Sequence, residues 1–430
     1  MATDAREAEQ FAREVVGRLR EAGYQALWAG GCVRDRLLGE AAEDYDVATD
    51  APPDEIRRLF GHRRTLAIGA AFGVITVLGP RRRSIEVATF RRDANYSDGR
   101  HPDGVTFSSA EEDARRRDFT INGIFYDPLE DRIIDYVGGQ ADLRAGLVRA
   151  IGDPHARLAE DKLRMLRAVR FAAAYDFRLD PPTLAAIGQH PAEITIVSAE
   201  RVAAELRRML TDRRRARALR LLQDTGLLEV LVPESRGLCP PPPGMPPDTG
   251  SPAWVETLRV LESLRAPSFS LALAGLLRRM LDPAGPAALA RRVCQRWRLS
   301  NRETERTAWL LAHESTIAGA AARAWSMLQP VLAAPGREEL LELCAAVAAA
   351  TGQGADDVVY CRARIVLPAD QLDPPPLITG DDLLGAGIPR GAVYRRLLQE
   401  ARSAQLDGLI TTRQQALDLA RRSWQTQLDE

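Results

Sequence analysis

The sequence predicts an α+β head followed by an all-α remainder, and three observations predict it. Every segment that reads as a strand lies within the first ~130 residues. From Leu143 onward the chain shows Leu- and Ala-rich helical periodicity with no convincing strand. Two proline-rich breaks, Val232–Ala253 and Leu367–Pro376, then divide the helical part, since such stretches resist both helix and sheet. The predicted divisions are 1–142, 143–232, 233–366 and 367–430, in keeping with a prior of ~150 residues per domain. No internal repeat of fixed period is present.

Taken in order, residues 4–22 read as an amphipathic helix, with Phe11, Val15, Val16 and Leu19 at helical spacing and Gly23 as its stop. Gln25–Ala29 is a short apolar strand leading into Gly30-Gly31, and Arg34–Leu38 begins a second helix. Tyr45–Thr49 reads as a strand. The Asp50-Ala-Pro-Pro stretch then sets up a helix over Asp54–Phe60, with Asp50 or Thr49 near its N-cap. Val74–Leu78 and Ser84–Phe90 are strands joined by a Gly79-Pro80 hairpin. In the second strand, Ile85 and Val87 face one side and Glu86 and Ala88 the other. The head is therefore expected to hold a small mixed or antiparallel sheet. Residues 91–107 are polar, rich in Asp and Gly, and read as a long functional loop.

Composition excludes several classes. An apolar share of 45% with 27% charged residues fits an ordinary globular chain, and no ~18-residue apolar run reads as a membrane span. The N-terminus is charged and helical, without a signal-peptide apolar region. Five scattered cysteines with no C-x-x-C, and histidines without metal-ligand spacing, argue against zinc and for a reducing cytoplasm. Lys162 is the only lysine, so arginine carries the remaining basic charge. The dense stretch Arg201–Arg220 reads either as a surface for a phosphate backbone or as a solvated helix face.

The chemistry concentrates in Leu27–Thr49, LWAGGCVRDRLLGEAAEDYDVAT. Glycines let the backbone approach a phosphate closely, and a helix N-terminus presents free N–H donors to an anion. Gly30 and Gly31 occupy that position, and Arg34 would add a charge-assisted hydrogen bond. Ten residues on, Asp44 and Asp46 point the same way if both lie on a strand. Oxygen-only ligands suit Mg2+, which takes one or two carboxylates and completes its shell with phosphates and water. The alternative for Asp-x-Asp is a solvated turn. Glu86, from a neighbouring strand, is the candidate third carboxylate; three acids on one sheet face suit two-metal phosphoryl transfer.

Two further stretches stand out. RRRDFTIN, Arg115–Asn122, places a basic run beside the expected phosphate site. EDKLRMLRAVRF, starting at Glu160, reads as a helix with Leu163, Leu166, Val169 and Ala173 as its apolar stripe. Asp161, Arg164 and Arg167 fall on the opposite side and Arg170 at the stripe's edge. The plain reading is an Asp161–Arg164 surface pair worth a few tenths of a kcal/mol. The functional reading is base recognition. Cytosine and adenine each present an amino donor beside a ring-nitrogen acceptor, so an accepting Asp and a donating Arg would select them over U and G.

These motifs, GGCVRD, DYDVAT, IEVATFR, YSDGRHPDGV, RRDFTIN and EDKLRMLRAVRF, resemble the class II tRNA nucleotidyltransferases, the CCA-adding enzymes, which share a polymerase-β-like head with bacterial poly(A) polymerases. The resemblance is close from Trp28 to Phe177 and looser to ITGDDLLGAGIP near the end. It implies a catalytic nucleotidyltransferase head (1–142), a nucleotide-selecting neck leading into the body (143–232), a body (233–366) and a tRNA-binding tail (367–430). It implies that Asp44 and Asp46 hold the catalytic Mg2+, with Glu86 beside them. Gly31 and Arg34 would contact the triphosphate, while Arg117, Asp161, Arg164, Arg167 and Arg170 would line the nucleotide pocket. The implied substrates are CTP, ATP and the acceptor end of tRNA, with no membrane or protein partner.

IGAAFGVITV looks like the CCA-adding form rather than the more basic poly(A) polymerase version, and Asn95–Val105 is full length, unlike the shortened loop of CC-adding relatives. That leaves full CCA addition, A-addition alone, or, as rivals, poly(A) synthesis and a non-catalytic RNA-binding scaffold. The chain also departs from many relatives. Its LALAGLLRRMLDPAG stretch has no His-Asp, and a Pro-rich insert occupies Cys239–Pro247, so no second phosphatase activity is expected. Gly123 replaces a more usual Ala, and PRGAVYRRL a Gly-Pro tail pattern.

Overall fold

The computed structural model describes residues 2–42, 44–93, 105–238 and 251–429. The proline-rich insert Cys239–Pro247 and all of Asn95–Val105 but Val105 lie outside them. The chain divides into two compact units near Arg236.

The first unit opens with α1 (Ala2–Glu21), β1 (Ala26–Ala29), α2 (Gly31–Leu37), β2 (Asp46–Thr49) and α3 (Pro53–Phe60). It continues through β3 (Thr65–Leu66), β4 (Val74–Leu78), β5 (Ser84–Thr89), β6 (Arg91–Asp93), β7 (Val105–Phe107) and α4 (Ala110–Arg115). Then come β8 (Ile124–Asp127), β9 (Arg132–Asp135) and α5 (Gly139–Ala145). A seven-stranded mixed sheet runs β3-β4-β5-β2-β1-β8-β9. Its one parallel pair, β2–β5, places Asp46 opposite Glu86. The antiparallel β1–β2 pair places Ala29 opposite Asp46, so the Gly30-Gly31 turn lies beside the start of β2. Alternation along the strands buries Leu27, Ala29, Ala48, Phe90 and Phe125 against Ala110 and Ala114 of α4, while α1 and α3 also pack on the sheet.

Several expectations change here. Asp44 is not on a strand: it lies in a bend before β2, so the two aspartates are not related by strand alternation. The α3 N-cap is Pro52; Thr49 Oγ1 instead accepts from the Ala51 N–H, and Asp50 Oδ1 from the Gln25 N–H. The polar stretch 91–107 is not all loop, because its ends pair as β6 and β7, which Arg and Asp side chains do not advertise.

The first unit continues through β10 (Leu147–Val148), α6 (Pro154–Glu160), α7 (Leu163–Ala174), β11 (Arg178–Leu179), α8 (Pro181–Gln189), α9 (Ala199–Thr211), α10 (Arg215–Asp224) and α11 (Leu227–Leu231). The parallel β10–β11 bridge contradicts the strand-free expectation after Leu143; two-residue strands carry no period to detect. α7 is buried on both sides, not only along Leu163, Leu166, Val169 and Ala173: Arg164, Met165, Ala168, Phe171 and Ala172 are buried too.

The second unit is helical. A hairpin of Pro286–Arg296 and Asn301–Ile317 packs with Phe269–Leu277, itself buried throughout, and the Ser300–Glu303 capping box starts its second arm. Near the end, Val393–Leu406 and Arg413–Asp429 enclose a small core of Leu383, Ile388, Leu397 and Ala416. Among the described residues no helix is long and apolar enough to cross a membrane.

Candidate active site

Within the first unit a cleft of about 550 Å³ opens between the end of β1, the segment after α4, and α7 with α9. Gly30, Gly31, Arg34, Asp46, Arg117, Asp161, Arg164, Arg167 and Arg170 all line it. Asp44 and Glu86 are not among the lining residues; both are exposed, and their charges reach Asp46.

The glycine turn is conformationally demanding. Gly30 takes φ 72°, ψ −127°, a region open to glycine, and an added Cβ would sit 3.3 Å from Arg117 Nη1 and 3.9 Å from Asp46 Oδ2. Asp46 keeps an open side yet is crowded enough that burial, with the charges of Glu86 and Asp44, pushes its carboxyl up to about 6 against the pull of Arg117. Among the described residues no three His, Cys, Asp or Glu side chains form a ready-made metal cage. The donor set still suits a hard cation. It is oxygen-only, and the negative charge that Glu86 and Asp44 place on Asp46 is what a cation would relieve.

The arginines are held, not loose. Arg34 donates from Nε and Nη2 to Asp35 and from Nη1 to Asn122, at 2.7–3.0 Å, which commits three of its five N–H donors. Arg117 donates Nε and Nη2 to the buried Asp113 and Nη1 to the Asn122 carbonyl. Arg167 pairs with Asp118 at 2.6 Å, and Arg170 with Glu205 at 2.6 Å while lying 4.1 Å over the Phe171 ring.

The expected Asp161–Arg164 surface pair does not form. Asp161 lies outside the helix, between α6 and α7; its Oδ1 accepts from the Leu163 N–H and its Oδ2 from Arg201 at 2.7 Å. Arg164 is buried and donates to Glu160 and to the Arg157 carbonyl. The two side chains are fixed separately, each with hydrogen-bonding capacity left for a ligand. Arg201 thus belongs to the cleft, whereas Arg214, Arg215 and Arg217 of the same basic stretch donate to the backbone carbonyls of Ala174, Leu210 and Phe177. Those three tie segments of the first unit together rather than forming a free basic surface.

Six further lining residues, Arg116, Asp118, Asn122, Leu163, Phe171 and Arg201, carry no individual site assignment from sequence, although RRRDFTIN and Arg201–Arg220 contain four of them. Asp118 is the most telling. Burial alone would raise its carboxyl, but Arg167 and the Asn122 amide hold it down to about 2. An acid inside the basic run RRRDFTIN, ahead of an arginine-bearing helix, was its signal. The lining carries seven arginines against three aspartates, a balance that favours a polyanion.

Residues 26–149 match the family described as the poly A polymerase head domain, and residues 176–238 match one described as a probable RNA and SrmB-binding site of polymerase A. Residues 26–149 and 176–238 thus carry the signatures of a poly A polymerase head domain and its RNA-binding region. The chain is 42% identical over 219 residues to a CCA-adding enzyme of Levilactobacillus brevis, covering 51% of this chain and 54% of that protein. A CCA-adding enzyme of Bacillus licheniformis is 42% identical over 214 residues, or 53% of its length. At this similarity the chain spans about half the length of the curated relatives it matches. The fold match extends further: the crystal structure of the Bacillus stearothermophilus CCA-adding enzyme in complex with CTP superposes with a TM-score of 0.72 and 28% identity, over 98% of this chain and 99% of that one.

Proposed function

We propose that this protein adds CCA to the 3′ ends of tRNA without a template, taking CTP and ATP and releasing pyrophosphate. The observation that carries the reading is one cleft holding both a glycine turn beside a carboxylate, suited to phosphoryl transfer, and an Asp–Arg set with the hydrogen-bonding polarity of cytosine and adenine. The similarity to CCA-adding enzymes in sequence and in fold supports it.

In this reading the terminal hydroxyl of the tRNA attacks the α-phosphorus, the bond to the bridging β-phosphate oxygen breaks, and pyrophosphate leaves. Asp44 and Asp46 would hold Mg2+, with Glu86 beside them; when bound, the cation supplies charge stabilisation at the phosphate oxygens. Gly30 and Gly31 give the triphosphate close access to backbone, and Arg34 and Arg117 balance its charge. Asp161 and Arg164 read the base edge, while Arg167 and Arg170 complete the pocket wall. Residues 143–232 serve as the selecting neck, and 233–366 and 367–430 as the body and tail that engage tRNA.

The test supplies tRNA lacking its last three nucleotides, and tRNA ending in CC, with CTP, ATP or both. CCA addition gives +2 from CTP and +3 from both on the first RNA, and +1 from ATP on the second. Only the +1 product would mean A-addition alone. Long ATP-dependent ladders on arbitrary RNA would make it a poly(A) polymerase, and no product on any RNA would leave an RNA-binding scaffold.

A further inference from the structure

The phosphate side and the base side of the cleft are joined by a residue outside its lining. Tyr175 closes the C-terminal end of α7, where Asp176 takes the left-handed conformation (φ 59°) and the Phe177 N–H returns to the Ala172 carbonyl. That ending turns the tyrosine back toward α2. Its hydroxyl donates to Asp35 Oδ1 at 2.9 Å, the same oxygen that accepts from Arg34 Nε at 3.0 Å and Nη2 at 2.9 Å. The Arg34 guanidinium also lies 4.5 Å from the Tyr175 ring centroid and 5.1 Å from that of Phe171. One aromatic side chain therefore fixes Arg34 twice, through its face and through the carboxylate that orients the guanidinium.

We propose that Tyr175 is a positioning residue for nucleotide binding, holding Arg34 against the triphosphate of either CTP or ATP and so tying the neck helix to the glycine turn. The proposal rests on the assignment of Arg34 to the triphosphate made above. Burial and the Asp35 charge push the phenol up to about 12 despite Arg34, so its O–H stays a donor throughout the neutral range. Arg34 is buried and three of its donors are already committed, so the direction of the remaining two depends on how the guanidinium plane is held. Among the described residues, the side-chain hydrogen bonds of Asp161 and Arg164 run to Leu163, Arg201, Glu160, Arg157 and Arg116, not to Tyr175.

The chemistry gives separable readouts. A guanidinium that contacts the triphosphate equally in the bound complex and in the transition state affects KM rather than kcat. Tyr175→Phe keeps the ring and removes the hydroxyl. We expect it to raise KM for CTP and ATP by a similar factor, roughly 5- to 10-fold, with kcat and discrimination against UTP unchanged; the lost bond to a carboxylate sets that scale. Arg34→Ala should raise KM more, and adding Tyr175→Phe to it should raise KM no further, since the two act through one contact. Full-length protein is assayed on tRNA lacking its 3′ end, with circular dichroism melts confirming that each variant is folded. If Tyr175→Phe leaves KM unchanged while Arg34→Ala raises it, the Tyr175 role is overturned and the Arg34 assignment stands. If Arg34→Ala leaves KM unchanged, both fall. Additive effects in the double variant, or a shift confined to one nucleotide, would also overturn the proposal, and should Tyr175→Phe fail to fold, Asp35→Asn weakens the same link at its shared acceptor and should raise KM for both nucleotides alike.

Discussion

Asp46 holds its proton up to a pH of about 6 because burial is joined by the charges of Glu86 and Asp44, with only Arg117 opposing. A carboxyl whose folded pKa is raised disfavours the fold once ionised. Its cost is absent below pH ~4 and grows as pH rises through about 6. Asp46→Asn should therefore raise the Tm of the protein in chelator at pH 8, with the gain vanishing near pH 4, while nucleotide incorporation is lost. Thermal melts across pH, paired with incorporation assays, check both; an unchanged Tm at pH 8 would contradict the electrostatics. Asp118 has the opposite sign. Held at about 2 against the ordinary aspartate value of 3.8, it contributes about 2 kcal/mol at neutral pH, present above pH ~4 and lost as pH falls toward 2. Asp118→Asn should lower stability by about that amount in urea denaturation at pH 7 and by roughly half of it at pH 3. Asp46 was legible in sequence because Asp-x-Asp beside a Gly-Gly turn has no structural need. Asp118 was not, since its partner Arg167 lies 49 residues away and only folding brings them to 2.6 Å.

At the scale of elements, legibility followed length and period. The strands Val74–Leu78 and Ser84–Thr89 and the hairpin between them were readable from alternation and Gly79-Pro80. The β6–β7 pair and the two-residue β10–β11 bridge offered no period, and the break between α6 and α7 fell inside a run that reads as one helix. That break matters for the site, because it releases Asp161 from the helix face and lets Arg201 of α9 take it. Arg164 stays on the helix, buried between Glu160 and the Arg157 carbonyl. Arg164→Ala should cut discrimination against UTP by about 10- to 100-fold, the loss expected when one or two charged hydrogen bonds of ~1.5–3 kcal/mol are removed. Competition of UTP against CTP measures it, and unchanged selectivity would defeat base reading by this residue. The β1–α2 turn makes a different demand. Gly30→Ala would force a Cβ into φ 72° and against Arg117 Nη1, costing about 1–3 kcal/mol of strain. We expect roughly tenfold higher KM for both CTP and ATP, as the turn opens to relieve the clash; KM at the wild-type value would show that the backbone there does not meet the triphosphate.

Across the whole molecule, sequence and fold similarity part company. The Levilactobacillus brevis match covers 51% of the chain, whereas the fold match to the Bacillus stearothermophilus structure covers 98%. Apolar periodicity and volume suffice to build a helical unit, and many sequences satisfy them. A cleft that must place carboxylates, glycines and arginines within ångströms of one another admits far fewer. Every residue lining that cleft, from Gly30 to Arg201, lies in the unit that ends at Arg236, and that unit has its own sheet-and-helix core. A fragment of residues 1–236 should accordingly fold with a single cooperative transition and bind CTP and ATP with affinities within about threefold of the full chain, since three-fold is under ~1 kcal/mol. Its use of tRNA should be far weaker, because the proposed body and tail are missing. Calorimetric melting and nucleotide titration of the fragment, beside primer extension with tRNA, test this. A fragment that melts cooperatively yet binds no nucleotide would mean that residues beyond Arg236 complete the pocket, and one that extends tRNA as well as the full chain would remove the body and tail from RNA binding.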